Sequence, residues 1–173
     1  MVIVLMGVSG SGKTTVGERL ARALGGEFAE GDAYHPPGNV EKMRSGIPLD
    51  DADRQPWLER LSAEIGTWLD AGRNVVLASS ALKQRYRDIL KAGREGVRFV
   101  YLRGSEPLIR ERLRRRRGHY MPASLLASQF AALEEPKDAI TVDIDRPPDA
   151  IVGSILDRLD LAPSSARGPQ PPS

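Results

Sequence analysis

One short stretch near the amino terminus constrains this chain more than any other. Gly7-Val8-Ser9-Gly10-Ser11-Gly12-Lys13-Thr14 follows the pattern GxxxxGK[ST]. It is preceded by Val2-Ile3-Val4-Leu5-Met6, a continuous apolar run with β-branched residues, and followed by Val16, Leu20, Ala23 and Leu24 at helical spacing. A buried strand, a glycine-rich turn and an amphipathic helix in this order make an anion cradle. The glycines permit positive φ and close approach of the backbone. Successive N–H groups form a nest, and the helix N-terminus adds positive potential. Gly7 through Thr15 is the candidate nucleotide-binding set, with Lys13 reaching the β- and γ-phosphates and Thr14 binding Mg²⁺. A turn that binds nothing would not need the strand, lysine, threonine and helix all in place.

Composition narrows the rest. A length of 173 residues corresponds to one domain. The 25 basic and 23 acidic residues nearly balance, which argues against a polycationic nucleic-acid tail or a solvating acidic protein. With no Cys there is no disulfide, thiolate nucleophile or Cys-ligated metal, and two His are too few for a His-built metal site without carboxylates. No apolar run approaches the roughly 18 residues of a membrane span. The six-residue apolar start reads as a strand rather than a signal peptide, so the expected location is the cytoplasm, without membrane or nucleic-acid partners.

The remaining pattern alternates. Further strands are expected at Glu27–Gly31, Asn74–Ser79, Val97–Leu102 and Ala139–Ile144. Helices are expected after Lys13, near Val40–Ser45, over Arg54–Ala71 and 83–92, over Pro107–Arg117, from about residue 123 to Leu133, and around Ile151–Leu159. Trp57 and Trp68 fall on the apolar stripe of the long helix and read as core. Strand–helix alternation predicts an α/β fold of three layers, a mostly parallel sheet with helices on both faces. The domain is expected to span 1–161, with a flexible Pro/Ser-rich tail over 162–173.

The kind of nucleotide protein follows partly by exclusion. There is no DxxG or NKxD pattern of a GTPase and no LSGGQ-like segment. The third strand ends in Ser79-Ser80 rather than an acid. Glu30 and Asp32, two apart at the end of the second strand, are the candidate acids: one for the Mg²⁺ shell, one to orient an acceptor hydroxyl. Their bland alternative is a pair of solvated loop acids. Asp143 and Asp145 end the fifth strand and read as structural or near the base.

Residues 31–58, from Gly31-Asp32 through His35-Pro36, Asn39, Lys42-Met43, Gly46, Pro48-Leu49, Asp51, Asp53-Arg54 and Pro56-Trp57-Leu58, follow the pattern GDxxHPxxNxxKMxxGxPLxDxDRxPWL. In this the chain resembles gluconate kinases, small sugar-acid kinases of the phosphate-loop superfamily that also holds shikimate and adenylate kinases. Ser80-Ala81-Leu82-Lys83 with Tyr86-Arg87-Asp88, Arg117-Gly118-His119-Tyr120 with Gln129, and Val142-Asp143-Ile144-Asp145 resemble the family's later motifs. The resemblance covers about residues 2–160. It implies a sheet of order 2-3-1-4-5, a lid at about 112–124, and transfer of a phosphoryl group from ATP to D-gluconate with Mg²⁺. It also raises a homodimer, which such proteins commonly form.

On this resemblance Lys13, Asp32, Arg54 and Arg117 are the catalytic candidates. Asp32, His35, Arg54, Ser80, Lys83 and Gln129 are acceptor contacts, Thr14 and Glu30 serve the metal, and Arg112 serves the nucleotide. Glu30 stands where the family more often has Asp, and Ser79 where it often has Cys. A guanidinium at Arg54 suits a carboxylate or a transferring phosphoryl, but it could instead pair with Asp50, Asp51 and Asp53. Lys83 and Arg87 could be a solvated helix face. The crowd from Arg110 to Arg117 could be solvated too, could bind RNA, or could supply charge to a transferred phosphoryl from a lid. The alternatives to a gluconate kinase are a kinase for another sugar acid or a nucleoside monophosphate, a nucleotide-dependent RNA binder, and an ATP-binding scaffold without chemistry.

Overall fold

The computed structural model describes residues 1–116 and 123–160. Five parallel strands, β1 (Val2–Met6), β2 (Glu27–Glu30), β3 (Val75–Ala78), β4 (Val97–Arg103) and β5 (Ile140–Asp143), form one sheet in the order β2-β3-β1-β4-β5. The helices among the described residues are α1 (Lys13–Ala23), α2 (Pro37–Arg44), α3 (Asp51–Asp70), α4 (Gln84–Lys91), α5 (Glu106–Arg115), α6 (Ala123–Ala132) and α7 (Pro148–Arg158). The expected class and strand order are those observed. Arg117, residues 117–122 of the expected lid and the expected tail lie outside the described residues.

Side-chain alternation along the central strands builds two cores. Ile3 and Leu5 of β1 point to one face with Val76, Val100 and Leu102, where α1, α5 and α7 bring Val16, Leu20, Ile109, Ile151 and Ile155. Val2, Val4 and Met6 point to the other with Val75, Leu77 and Phe99, covered by Trp57, Leu58, Leu61, Ile65 and Trp68 of α3 and Tyr86 and Leu90 of α4. Burial on both faces is why β1 and β3 read as unbroken apolar runs. Both tryptophans are core, as their spacing predicts. No helix among the described residues is long and apolar enough to cross a membrane.

The segment after β2 holds a 3₁₀ turn and a helix that starts earlier than the expected Val40. Gly31–Tyr34 is a 3₁₀ turn, and α2 begins at Pro37, whose fixed φ suits a first helical position. Helix α3 begins at Asp51, three residues ahead of the expected Arg54, because Asp50 and Asp53 cap each other's backbone. The Asp53 N–H donates to Asp50 Oδ1 at 2.7 Å, and the Asp50 N–H donates to Asp53 Oδ2 at 3.1 Å. Two further contacts tie the 3₁₀ turn down. A Cβ at Gly31 would lie 2.5 Å from the Ala78 carbonyl oxygen, so only glycine lets this turn close on the end of β3. The Trp57 indole N–H donates to the Gly31 carbonyl at 2.8 Å. The turn that carries Asp32 is therefore held by both β3 and α3.

Candidate active site

The phosphate loop runs from β1 into α1 at the carboxyl end of the sheet. Its last glycine, Gly12, caps α1 at φ +94°, a conformation that would strain any other residue. The Lys13 ammonium folds under the loop and donates to the carbonyls of Gly7 at 2.9 Å and Val8 at 3.0 Å. Packing around that ammonium lowers its pKa to about 8. The charges of Asp32 and then Glu30 pull it back up, and Arg116 pushes it down. Asp32 is thus the strongest of the acidic charges felt by Lys13.

Thr14 and Glu30 meet directly: the Thr14 hydroxyl donates to Glu30 Oε2 at 2.9 Å. Partial burial raises the Glu30 pKa and the charge of Asp32 adds to this, while the Thr14 hydrogen bond and Lys13 oppose it. A hydroxyl and a carboxylate side by side at a phosphate cradle are the hard oxygen donors Mg²⁺ prefers. Among the described residues no cluster of three His, Asp or Glu side chains could hold a metal alone. The donor set therefore fits an ion completed by phosphate and water.

Two residues beyond Glu30, Asp32 projects outward, its side chain 75% exposed, with Oδ1 3.8 Å from His35 Nε2. His35 is buried and stacks on Trp57, ring centroids 4.3 Å apart and planes 16° from parallel. Burial lowers its pKa below the ordinary 6.5; Asp32 opposes the shift and Arg54 assists it.

Arg54 donates to the Leu49 carbonyl at 2.6 Å, and its guanidinium lies 5.8 Å from the centre of the Tyr86 ring. The acidic residues around it are taken by others: Asp53 by Lys42 at 2.8 Å, and Asp51 by Lys83 at 3.0 Å and Arg85 at 3.3 Å. The Tyr86 hydroxyl also donates to Asp51. Among the described residues Arg54 forms no ion pair, so it is not absorbed by the acidic cluster. Arg54 and Lys83 line a depression of about 480 Å³ with Leu49, Asp50, Asp51 and Ala52.

The turn after β3 joins these parts. The Ser80 carbonyl accepts from the Gly7 N–H at 3.3 Å, and Ala81 sits at φ +41°, an uncommon conformation for a residue with a side chain. Arg87 is buried, not on a solvated face. Its guanidinium donates to the carbonyls of Ala81 (3.0 Å), Leu82 (3.1 Å) and Glu134 (2.9 Å) and to Gln84 Oε1 (2.8 Å). Spacing alone had no signal for this, because the acceptors are mainly backbone carbonyls, two of the adjoining turn and one, Glu134, far along the chain.

Gln129, grouped in the sequence with the acceptor contacts, is engaged at the phosphate loop. Its Oε1 accepts from the Ser9 N–H at 2.8 Å and its Nε2 donates to the Ser9 hydroxyl at 3.0 Å. The arginines of α5 separate by face. Arg110 pairs with Glu106, while Arg114 and Arg115 pair with Glu111, all exposed. Arg112 turns inward and donates to the Ile144 carbonyl past β5. Asp143 is structural, forked by Arg103 at 2.8 and 3.1 Å.

A parallel sheet of this order, a glycine-rich anion cradle opening α1, and a hydroxyl–carboxylate pair beside it define a phosphate-loop kinase. Residues 2–136 match a family model described as an AAA domain. Gluconokinase of Gluconobacter oxydans strain 621H is 48% identical over 157 residues, spanning 89% of this chain and 88% of that protein. The crystal structure of a gluconokinase from Sinorhizobium meliloti 1021 superposes with a TM-score of 0.82 at 48% identity, over 92% of this chain and 91% of that one. Shikimate kinase from Aquifex aeolicus shares the fold, with a TM-score of 0.57 at 20% identity over 92% of this chain and 96% of that one. The chain belongs to the gluconokinase family.

Proposed function

We propose that the protein transfers the γ-phosphoryl group of ATP to the terminal hydroxyl of D-gluconate, releasing ADP and 6-phosphogluconate. The observation that carries this is the meeting of two segments at one end of the sheet. Thr14 of the phosphate loop bonds Glu30, and Asp32 follows within reach of the Lys13 charge. This supports a reading in which donor and acceptor machinery work at the same end of the sheet.

The residues divide the work by chemistry. The N–H groups of the loop and Lys13 hold the phosphates; an anion there favours the charged lysine that burial alone disfavours. Thr14 and Glu30 would hold Mg²⁺, which when bound supplies positive charge to the phosphates. Asp32 accepts the hydrogen of the acceptor hydroxyl and aims its oxygen at the γ-phosphorus. Arg54 and Lys83, which line one depression, suit the carboxylate end of a linear sugar acid. Arg117 takes its role, balancing charge on the transferred group, from the family resemblance.

A coupled assay of ADP release across an acceptor panel tests this reading. Gluconate should turn over fastest, ahead of other aldonates and far ahead of nucleoside monophosphates. Turnover confined to a nucleotide would replace the acceptor assignment. Salt-dependent RNA binding without phosphorylation of any small molecule would replace the enzyme.

A further inference from the structure

The backbone carbonyl of Asp53 can only accept a hydrogen bond. Asn39 Nδ2 lies 2.8 Å from it, which fixes which end of the Asn39 amide faces that way. The reversed amide would set two oxygens against each other. The same nitrogen lies 3.2 Å from His35 Nδ1, in a buried contact. An amide NH₂ has two protons and nothing to accept with. One proton goes to Asp53, so the other meets Nδ1, and Nδ1 must be the bare nitrogen. A neutral imidazole bare at Nδ1 carries its proton at Nε2. The other tautomer and the cation would both point an N–H at an N–H. Turning the ring over would leave carbon facing the Asn39 donor, and the stack on Trp57 keeps the ring in its plane.

The proton so placed faces Asp32, whose Oδ1 is 3.8 Å from His35 Nε2. That separation is too long for a direct hydrogen bond. It suits a hydroxyl set between the two, accepting from Nε2–H and donating to the carboxylate, since a hydroxyl does both. We infer that Asn39 is a positioning residue that holds His35 as the neutral Nε2–H tautomer, and that His35 and Asp32 together form a subsite reading one hydroxyl of the acceptor as both donor and acceptor. The charged groups acting on His35 are Asp32 and Arg54. The inference rests on the proposed polyol acceptor for its second half. Its first half concerns the protein alone.

The test separates the two. The chain has two histidines, so nitrogen-correlated imidazole spectra of the full chain, without substrate at pH 7–8, show two rings, and His35→Gln identifies one by its loss. The expected result is a neutral His35 protonated at Nε2. A proton at Nδ1, a tautomer mixture or a cation would overturn the role of Asn39, whatever the enzyme phosphorylates. Asn39→Asp replaces the donor with an acceptor and should draw the proton to Nδ1, with acceptor kcat/KM down about 10–100-fold and KM for ATP unchanged. Should that variant fail to fold, the histidine pair decides. The amide nitrogen of His35→Gln reaches the Nε2 position and that of His35→Asn does not. Acceptor kcat/KM should therefore be about tenfold or more higher in the Gln variant. Equal losses in both would remove the hydroxyl-reading role.

Discussion

At the scale of single residues, neighbours decide the chemistry of the groups at the site. Asp32 is exposed but sits beside Lys13 and His35. Asp32→Ala should lower kcat by about 10²–10⁴-fold while ATP binding by calorimetry stays near wild type. Undiminished turnover would reject its role. His35 gives a pH signature in stability. Its folded pKa lies below 6.5, so as pH falls the unfolded chain takes up the proton first. This contribution is complete above pH 6.5 and declines below it, towards the depressed folded value. Melting temperatures followed from pH 7.5 to 5.5 should therefore fall more steeply for wild type than for His35→Gln. Parallel curves would contradict the buried neutral histidine. Asp51, Asp53 and Asp143 have pKa values lowered by hydrogen bonds, chiefly from Tyr86, Lys42 and Arg103 respectively. Their stabilisation is present above about pH 4 and is lost only in stronger acid.

At the scale of elements, two local devices carry predictions. Arg87 pins the turn after β3 to the end of α6 through three carbonyls. Arg87→Met should cost about 2–4 kcal/mol in urea unfolding, since it strands buried acceptors. An unchanged midpoint would mean water or relaxation replaces it. Asp50→Ala removes one arm of the α3 capping box and should cost about 1 kcal/mol by the same measurement, with the loss absent in Asp50→Ser. These devices also mark how far the sequence could be read. The strands and the long apolar helix were legible because burial on one or both faces writes itself as periodicity. The start of α3 was not, because its first turn is fixed by two aspartates bonding each other rather than by an apolar stripe. The motif from Gly31 to Leu58 identified the candidate residues but not their order in space. That order depends on the Gly31 approach to β3 and the Trp57 bond to Gly31, neither of which has a periodic signature. Gln129 reaches Ser9 across the fold, a contact between residues 120 positions apart.

At the scale of the whole molecule, the sheet is a partition. Its two faces bury separate cores, and its carboxyl edge gathers the phosphate loop, the β2 acids and the turn after β3. Placing ligands beyond the carboxyl ends of parallel strands follows from helix N-termini converging there. On the proposed function this edge joins an ATP phosphate to the terminal hydroxyl of gluconate, and the reaction product decides it. Phosphorus NMR of a reaction with ATP and gluconate should show one new monoester signal, split into a triplet by the two protons of a primary carbon. A doublet from a secondary position, or ADP formed with inorganic phosphate alone, would contradict the account.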